Sequence, residues 1–285
     1  MHPEMWLSAA NQENVATLRR RGFLVIEPDE GRMTGEDFGV GRYPEVSRIV
    51  LEISNFANIK SDLLGRRVLV TAGGTREPID AVRVIANRST GKQGYAIAME
   101  AVARGAKVTL ISTADLPTPF GVNLVQVETA QQLMDAVNAE AIAADVVVMA
   151  AAVADVRPVR VATHKLKKDP LTGQIGDLGA IELEATPDIL AGLGKNKPVG
   201  QVLVGFAAET ENLIANAQLK LERKGADLIV ANDVSQDGVG FAHATNAVTL
   251  VARGVEPVEV ALADKRSIAR SVLNAVVAIR SARTN

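Results

Sequence analysis

Three lysines within four positions carry the clearest chemical signal in the chain. Lys165, Lys167 and Lys168 fall in Thr163-His164-Lys165-Leu166-Lys167-Lys168, ten residues after Asp155, which ends the apolar run Ala150-Ala151-Ala152-Val153-Ala154. The formal net charge is −2 at pH 7, so the cluster stands out from a slightly acidic background. An isolated lysine run is usually a solvated face. This one follows a predicted strand end, and Lys220 and Lys224 lie one helical turn apart further along. Lysines aimed at one pocket hold a polyanion and stabilise charge that moves onto a departing pyrophosphate. A nucleoside triphosphate fits that reading. Taken alone, Lys220 and Lys224 read more readily as an exposed helix face.

Asp155 beyond a buried strand can coordinate Mg2+ or accept from a ribose hydroxyl; a solvent-facing loop aspartate is the simpler alternative. The paired Gly73 and Gly74 follow the apolar run 68–71. Glycines there let backbone N–H groups approach phosphate oxygens, or form a tight strand-end turn. They are not the dinucleotide fingerprint, because fifteen residues, 76–90, separate their loop, which ends at Thr75, from Gly91. Asn87-Arg88-Ser89-Thr90-Gly91-Lys92-Gln93-Gly94 opens a predicted helix. Ser89 or Thr90 is placed to cap it, and Asn87 is placed to meet an anionic group at its N-terminus. The first glycine of a P-loop is missing. Phe206, one of few aromatics, belongs either to the core or to the wall of a base pocket. Asn232, Asp233 and Asn246 lie near strand ends, where turn chemistry accounts for them. His2, His164 and His243 show no ligand spacing, and no structural metal is expected.

Such scattered residues need a frame that gathers loops. From residue 66 onward, short apolar runs alternate with helical periodicity. Strands are expected at 68–71, 107–112, 145–150, 201–206 and 227–231, with a late pair at 247–251 and 258–261. Helices are expected at 91–105, 131–144, 211–225 and 265–281. This alternation predicts an α/β fold: a doubly wound, mostly parallel Rossmann-like sheet with helices on both faces. Ligands bind beyond the carboxyl ends of such strands, where the loops after residues 71, 150 and 206 fall. Residues 1–60 differ, with a Gly/Asp-rich loop at 31–41, one helical stretch at 44–57 and no set of buried strands. They are not expected to fold alone, whereas 61–285 forms the sheet domain.

Composition narrows the function classes. Aromatic residues make up 3% of the chain, so Ala, Val, Ile and Leu pack the core. A pI near 6.0 argues against a nucleic-acid binder. The absence of cysteine excludes disulfides, thiolate metal sites and a cysteine nucleophile. No apolar stretch is long enough to span a bilayer, and no signal peptide is visible. A cytoplasmic protein without membrane or nucleic-acid partners is expected.

Seven collinear motifs carry a resemblance. They are residues 71–80 (Thr-Ala-Gly-Gly-Thr-Arg-Glu-Pro-Ile-Asp), 84–94, 151–155, 165–168, 187–190 (Pro-Asp-Ile-Leu), 205–210 (Gly-Phe-Ala-Ala-Glu-Thr) and 231–234. Together they resemble the phosphopantothenoylcysteine synthetase family, the C-terminal half of bacterial bifunctional coenzyme A biosynthesis proteins. The resemblance implies ligation of 4′-phosphopantothenate to L-cysteine, driven by CTP through an acyl-cytidylate. It implies that Asn87 holds that intermediate and that Lys165 supports its chemistry. Asp155, Pro187, Asp188, Ile189, Leu190, Phe206, Lys220 and Lys224 fall on CTP-binding positions, with Mg2+ accompanying the triphosphate. It also implies a homodimer, with the segment around 87–94 at the dimer contact. Other members use ATP, and nucleotide choice leaves little trace in the residues.

Residues 1–60 resemble the C-terminal remnant of the partner flavin-dependent decarboxylase, with His2 where that motif has asparagine and Gly35 where a reactive cysteine is common. No decarboxylase activity and no FMN are expected from this chain. A nicotinamide-dependent reductase is disfavoured by the missing glycine fingerprint and Tyr-x-x-x-Lys pair. A non-catalytic nucleotide-binding subunit is disfavoured by the joint presence of Asn87, Asp155 and Lys165.

Overall fold

The computed structural model describes all residues except 22, 34–36, 58–61, 168–179, 210, 234–242, 244 and 285. It divides into two compact units, Met1–Ser61 and Asp62–Asn285. The first holds α1 (Pro3–Trp6), α2 (Ala9–Arg20), β1 (Asp29–Arg32), β2 (Phe38–Arg42) and α3 (Val46–Ala57). The stretch expected to be a loop is largely an antiparallel hairpin, with Gly31 opposite Gly39 and Arg32 opposite Phe38. Its strands are mostly exposed or half-buried, so no apolar alternation announces them.

The second unit runs through β3 (Arg67–Ala72), β4 (Arg76–Pro78), β5 (Val84–Ala86), α4 (Lys92–Ala103), β6 (Lys107–Ser112), β7 (Val122–Gln126) and α5 (Ala130–Ala141). It continues with β8 (Val146–Met149), β9 (Val156–Pro158), β10 (Leu183–Ala185), α6 (Ile189–Lys195), β11 (Val202–Glu209) and α7 (Leu213–Arg223). It ends with β12 (Leu228–Asp233), β13 (Thr245–Ala252), β14 (Val258–Asp264) and α8 (Lys265–Thr284).

Eight of these strands form one sheet in the order β14-β13-β12-β11-β8-β3-β6-β7. The six from β12 to β7 are parallel, and β13 and β14 add an antiparallel edge. The fold class is therefore as expected. From β3 the chain winds outward through β6 and β7, then returns to the centre and winds the other way through β8, β11 and β12. The direction reverses between β3 and β8, which opens a crevice at their carboxyl ends.

Burial explains the layering. Leu69, Val147, Leu203 and Ile229 pack on one face with Leu133 and Val137 of α5, Leu193 of α6 and Leu221 of α7. On the other side α4 packs against β3 and α8, and Ile97, Ala98, Ala101, Ile268, Val272, Leu273 and Val276 are fully buried. Each large aliphatic side chain removed from water contributes about 1.5–3 kcal/mol. Two small antiparallel pairs, β4–β5 and β9–β10, sit apart from the sheet. With three residues per strand, and a proline in β4 and β9, they escape periodicity arguments.

Candidate active site

A cavity of about 760 Å3 lies at the crevice. Its walls come from Asn87 and the start of α4, the 151–155 loop after β8, and residues 186–190 leading into α6. Phe206 of β11, Lys220 and Lys224 of α7, Asn232 of β12, Asn246 of β13 and Lys265 of α8 complete it. Asn87, Asp155, Pro187, Asp188, Ile189, Leu190, Phe206, Lys220 and Lys224 are thus brought together from five separate stretches of chain.

Buried polar side chains fix these walls. Thr71 Oγ1 accepts from the Ala151 N–H at 3.0 Å, and Thr75 Oγ1 accepts from the Ala154 N–H at 2.9 Å. The Ala152 N–H donates to the Gly73 carbonyl at 2.8 Å, and the Thr75 N–H donates back to the Ala152 carbonyl at 3.2 Å. The loop after β8 is in effect stitched to the loop after β3. Asn87 adds to this seam, its Nδ2 donating to the carbonyls of Val153 at 3.0 Å and Ala152 at 3.4 Å. With its amide nitrogen so engaged, Asn87 has its carbonyl oxygen to offer a ligand.

Gly73 and Gly74 do not line the cavity. Both are buried, Gly73 has a φ of 89°, and a Cβ there would overlap Thr113 Oγ1. The Gly74 carbonyl accepts from Thr113 Oγ1 at 2.7 Å. Close packing of backbone against backbone explains these glycines, so the tight strand-end turn describes them better than a phosphate loop. The N-cap position of α4 falls to Gly91, at φ 78°, which carries no side chain, and not to Ser89 or Thr90. Residues Thr90 to Gly94 line the cavity, so this helix start faces it and favours an anion.

Charge in the cavity is predominantly positive. Among the described residues its lining carries five basic ones (Arg88, Lys92, Lys220, Lys224, Lys265) against two acidic ones, Asp155 and Asp188. Asp188 caps α6 through the Ala191 N–H at 3.0 Å and pairs with Lys224. Burial alone pushes its carboxyl up, but the Lys224 ammonium and the Ala191 N–H outweigh it and hold the carboxyl below its ordinary range. Lys220 Nζ donates to the Phe206 carbonyl at 2.9 Å. Burial draws the Lys220 ammonium down, against the opposing pull of Glu209, Asp155 and Asp188. Burial, with Lys92 nearby, likewise lowers Lys265. An incoming polyanion stabilises the charged form of both ammonium groups and so offsets the hydration that burial removes.

Asp155 is exposed at the cavity mouth, and its backbone carbonyl accepts from the Thr186 N–H at 3.0 Å. Among the described residues no group of three or more His, Asp or Glu side chains is arranged to hold a metal. A lone carboxylate suits a Mg2+ ion that takes its remaining ligands from phosphates and water.

Lys165 and Lys167 are exposed and lie outside the cavity lining. Their loop is held at Leu166, whose N–H donates to Asp80 Oδ2 at 3.1 Å and whose carbonyl accepts from Arg83 at 3.0 Å. Lys168 falls outside the described residues. Sequence reasoning overlooked Lys92, Lys265, Thr71 and Thr75 and assigned Asn232 and Asn246 to turns. No pattern in the sequence marks Lys92 or Lys265, because each reaches the cavity only through the packing of its helix start.

Residues 63–279 match the family described as the DNA/pantothenate metabolism flavoprotein C-terminal domain. The chain belongs to this family. It is 49% identical over 271 residues to the coenzyme A biosynthesis bifunctional protein CoaBC of Mycobacterium tuberculosis (strain ATCC 25618 / H37Rv). That alignment takes in 90% of this chain and 64% of the relative, so the chain spans just under two thirds of the curated relative's length. Among solved structures, the C-terminal domain of CoaBC shares 42% identity, with a TM-score of 0.64, over 77% of this chain and 97% of that one. A Cab2 variant solved in complex with phosphopantothenate-cysteine is 18% identical with a TM-score of 0.60, over 85% of this chain and 96% of that one, and shares the fold. The family's matched region starts just before β3 and ends within α8, so it contains every residue of the cavity lining.

Proposed function

We propose that this protein is a phosphopantothenate–cysteine ligase of coenzyme A biosynthesis that uses CTP. The observation that carries the reading is the electropositive cavity at the sheet's switch point, formed entirely within the region matching the pantothenate-metabolism family. A 4′-phosphopantothenate carboxylate oxygen attacks the α-phosphorus of CTP. An acyl–phosphate bond forms, the α–β phosphoanhydride bond breaks, and pyrophosphate leaves. The cysteine amine then attacks the acyl carbon. A C–N bond forms, the acyl C–O bond breaks, CMP leaves and the nitrogen loses a proton.

Lys220 and Lys224 supply charge for the triphosphate, Phe206 and residues 187–190 wall the nucleotide, and Asn87 holds the acyl-cytidylate through its carbonyl oxygen. Asp155 would hold a Mg2+ ion, which would supply neutralisation of the charge on the leaving pyrophosphate. Lys165 supports formation of the intermediate from its exposed loop. Such chemistry needs alignment and charge neutralisation more than a strong acid or base, which suits a chain without cysteine and a lining that holds no histidine among the described residues. The working form is proposed to be a homodimer, to be checked by light scattering.

Nucleotide choice is tested by thermal shift with Mg2+, since a ligand that binds only the native state raises its apparent stability. CTP should raise the midpoint more than ATP at equal concentration; the reverse order would reassign the co-substrate.

A further inference from the structure

The second half of the 71–80 motif does not touch the cavity, yet it holds a buried carboxylate, Asp80, with four donors. Asp80 Oδ1 accepts from the N–H groups of Val82 at 2.7 Å and Arg83 at 2.8 Å, which closes the turn between β4 and β5. Its Oδ2 accepts from the Arg83 guanidinium at 2.6 Å and from the Leu166 N–H, 86 residues away, at 3.1 Å. The same Arg83 nitrogen reaches the Leu166 carbonyl at 3.0 Å. A second rung joins the Ala162 N–H to the Ile79 carbonyl at 3.0 Å. A turn of this kind needs only Oδ1. The Oδ2 pair does something else: it grips both backbone groups of the residue that separates Lys165 from Lys167.

We propose that Asp80 is a positioning residue: acting with Arg83 through Leu166, it fixes the backbone from which Lys165 meets the nucleotide. The proposal rests on the reading that Lys165 serves nucleotide activation. Lys165 is exposed, so its own surroundings do little to orient it, and the clasp one residue away supplies that order. Holding a group in place before reaction removes an entropic cost from the barrier.

Asp80→Asn separates the two functions of the carboxylate. An amide keeps Oδ1 for the turn but offers Nδ2, a donor, where Leu166 and Arg83 also donate. In native protein below its melting temperature, trypsin should cut after Lys165 at least about tenfold faster in D80N than in wild type, because cleavage requires the loop to leave its anchor. With CTP and phosphopantothenate, pyrophosphate release should slow at least about tenfold while the CTP KM changes little. Adding D80N to Lys165→Ala should cost almost nothing further, since the two act through one group. Unchanged nicking would overturn the anchor. Faster nicking with additive losses in the double variant would make Asp80 structural only. Wild-type protein that releases no pyrophosphate would refute the reading of function itself, and the nicking rates would then decide the anchor alone.

Discussion

Asn87 illustrates how much one side chain can be asked to do. Its nitrogen is committed to the carbonyls of Ala152 and Val153, so Asn87→Asp would set a carboxylate oxygen against two carbonyl oxygens and turn the residue or the loop. Turnover of the acyl-cytidylate should fall by at least about tenfold while CTP affinity changes little. Quench-flow with labelled CTP and equilibrium binding measure the two separately, and equal losses in both would refute the role. Asp80 makes a prediction in pH. Burial would raise its carboxyl, yet the N–H groups of Val82, Leu166 and Arg83 and the Arg83 guanidinium bring it from 3.8 to about 2. A depressed carboxyl stabilises the fold fully above 3.8 and loses that contribution as pH falls toward about 2. Asp80→Asn should therefore be less stable than wild type at pH 7, with the difference shrinking through that acid window in a series of denaturation curves. A difference independent of pH would contradict the ionised clasp.

At the scale of elements, the β4–β5 hairpin is the piece that sequence patterns did not disclose. It is too short for periodicity, yet it ties three separate segments together, of which the loop after β8 lines the cavity. Glu77, buried, accepts from the Ala130 N–H at 2.8 Å at the start of α5, Asp80 holds the lysine loop, and Thr75 just before it holds the loop after β8. Glu77→Ala leaves a donor unsatisfied and should cost about 1–3 kcal/mol in urea denaturation, while Glu77→Gln retains an acceptor and should cost less. The long elements were legible because β3, β6, β8, β11 and β12 are near-continuous apolar runs between helices. β7 was not, because its burial is partial along its length. Asp155, which lines the cavity, was legible from its place just beyond a predicted strand end, whereas Asn232 and Asn246 looked like turn residues. Lys92 and Lys265 were not legible, because only the third dimension shows that the starts of α4 and α8 meet the same cavity. Gly73 and Gly74 misled for the opposite reason: a glycine pair that spares a Cβ for a neighbouring chain looks the same as one that spares it for a phosphate.

Across the whole molecule, chemistry and stability occupy opposite edges of one sheet. At the amino end, Asp227 accepts from the Leu203 N–H at 2.8 Å and pairs with Lys197 at 2.7 Å and Arg283 of α8 at 2.5 Å. Asp145 similarly accepts from the Arg67 N–H at 2.9 Å and pairs with Arg280 at 3.3 Å. These contacts fasten α8 across the sheet and leave the carboxyl end to the cavity. Asp227→Ala should destabilise by about 1.5–3 kcal/mol without changing CTP affinity in the protein that remains folded; a selective loss of CTP binding would contradict this division. The central claim concerns the cavity as a site of acyl transfer through a nucleotide. Its most direct test is to incubate the protein with Mg2+, CTP and 4′-phosphopantothenate, with and without L-cysteine, and follow pyrophosphate, CMP and the amide product. Without cysteine, pyrophosphate should appear in an amount matching the enzyme, with the acyl-cytidylate retained. With cysteine, pyrophosphate, CMP and 4′-phosphopantothenoylcysteine should accumulate in equal amounts over many turnovers. No pyrophosphate in either mixture would contradict the account.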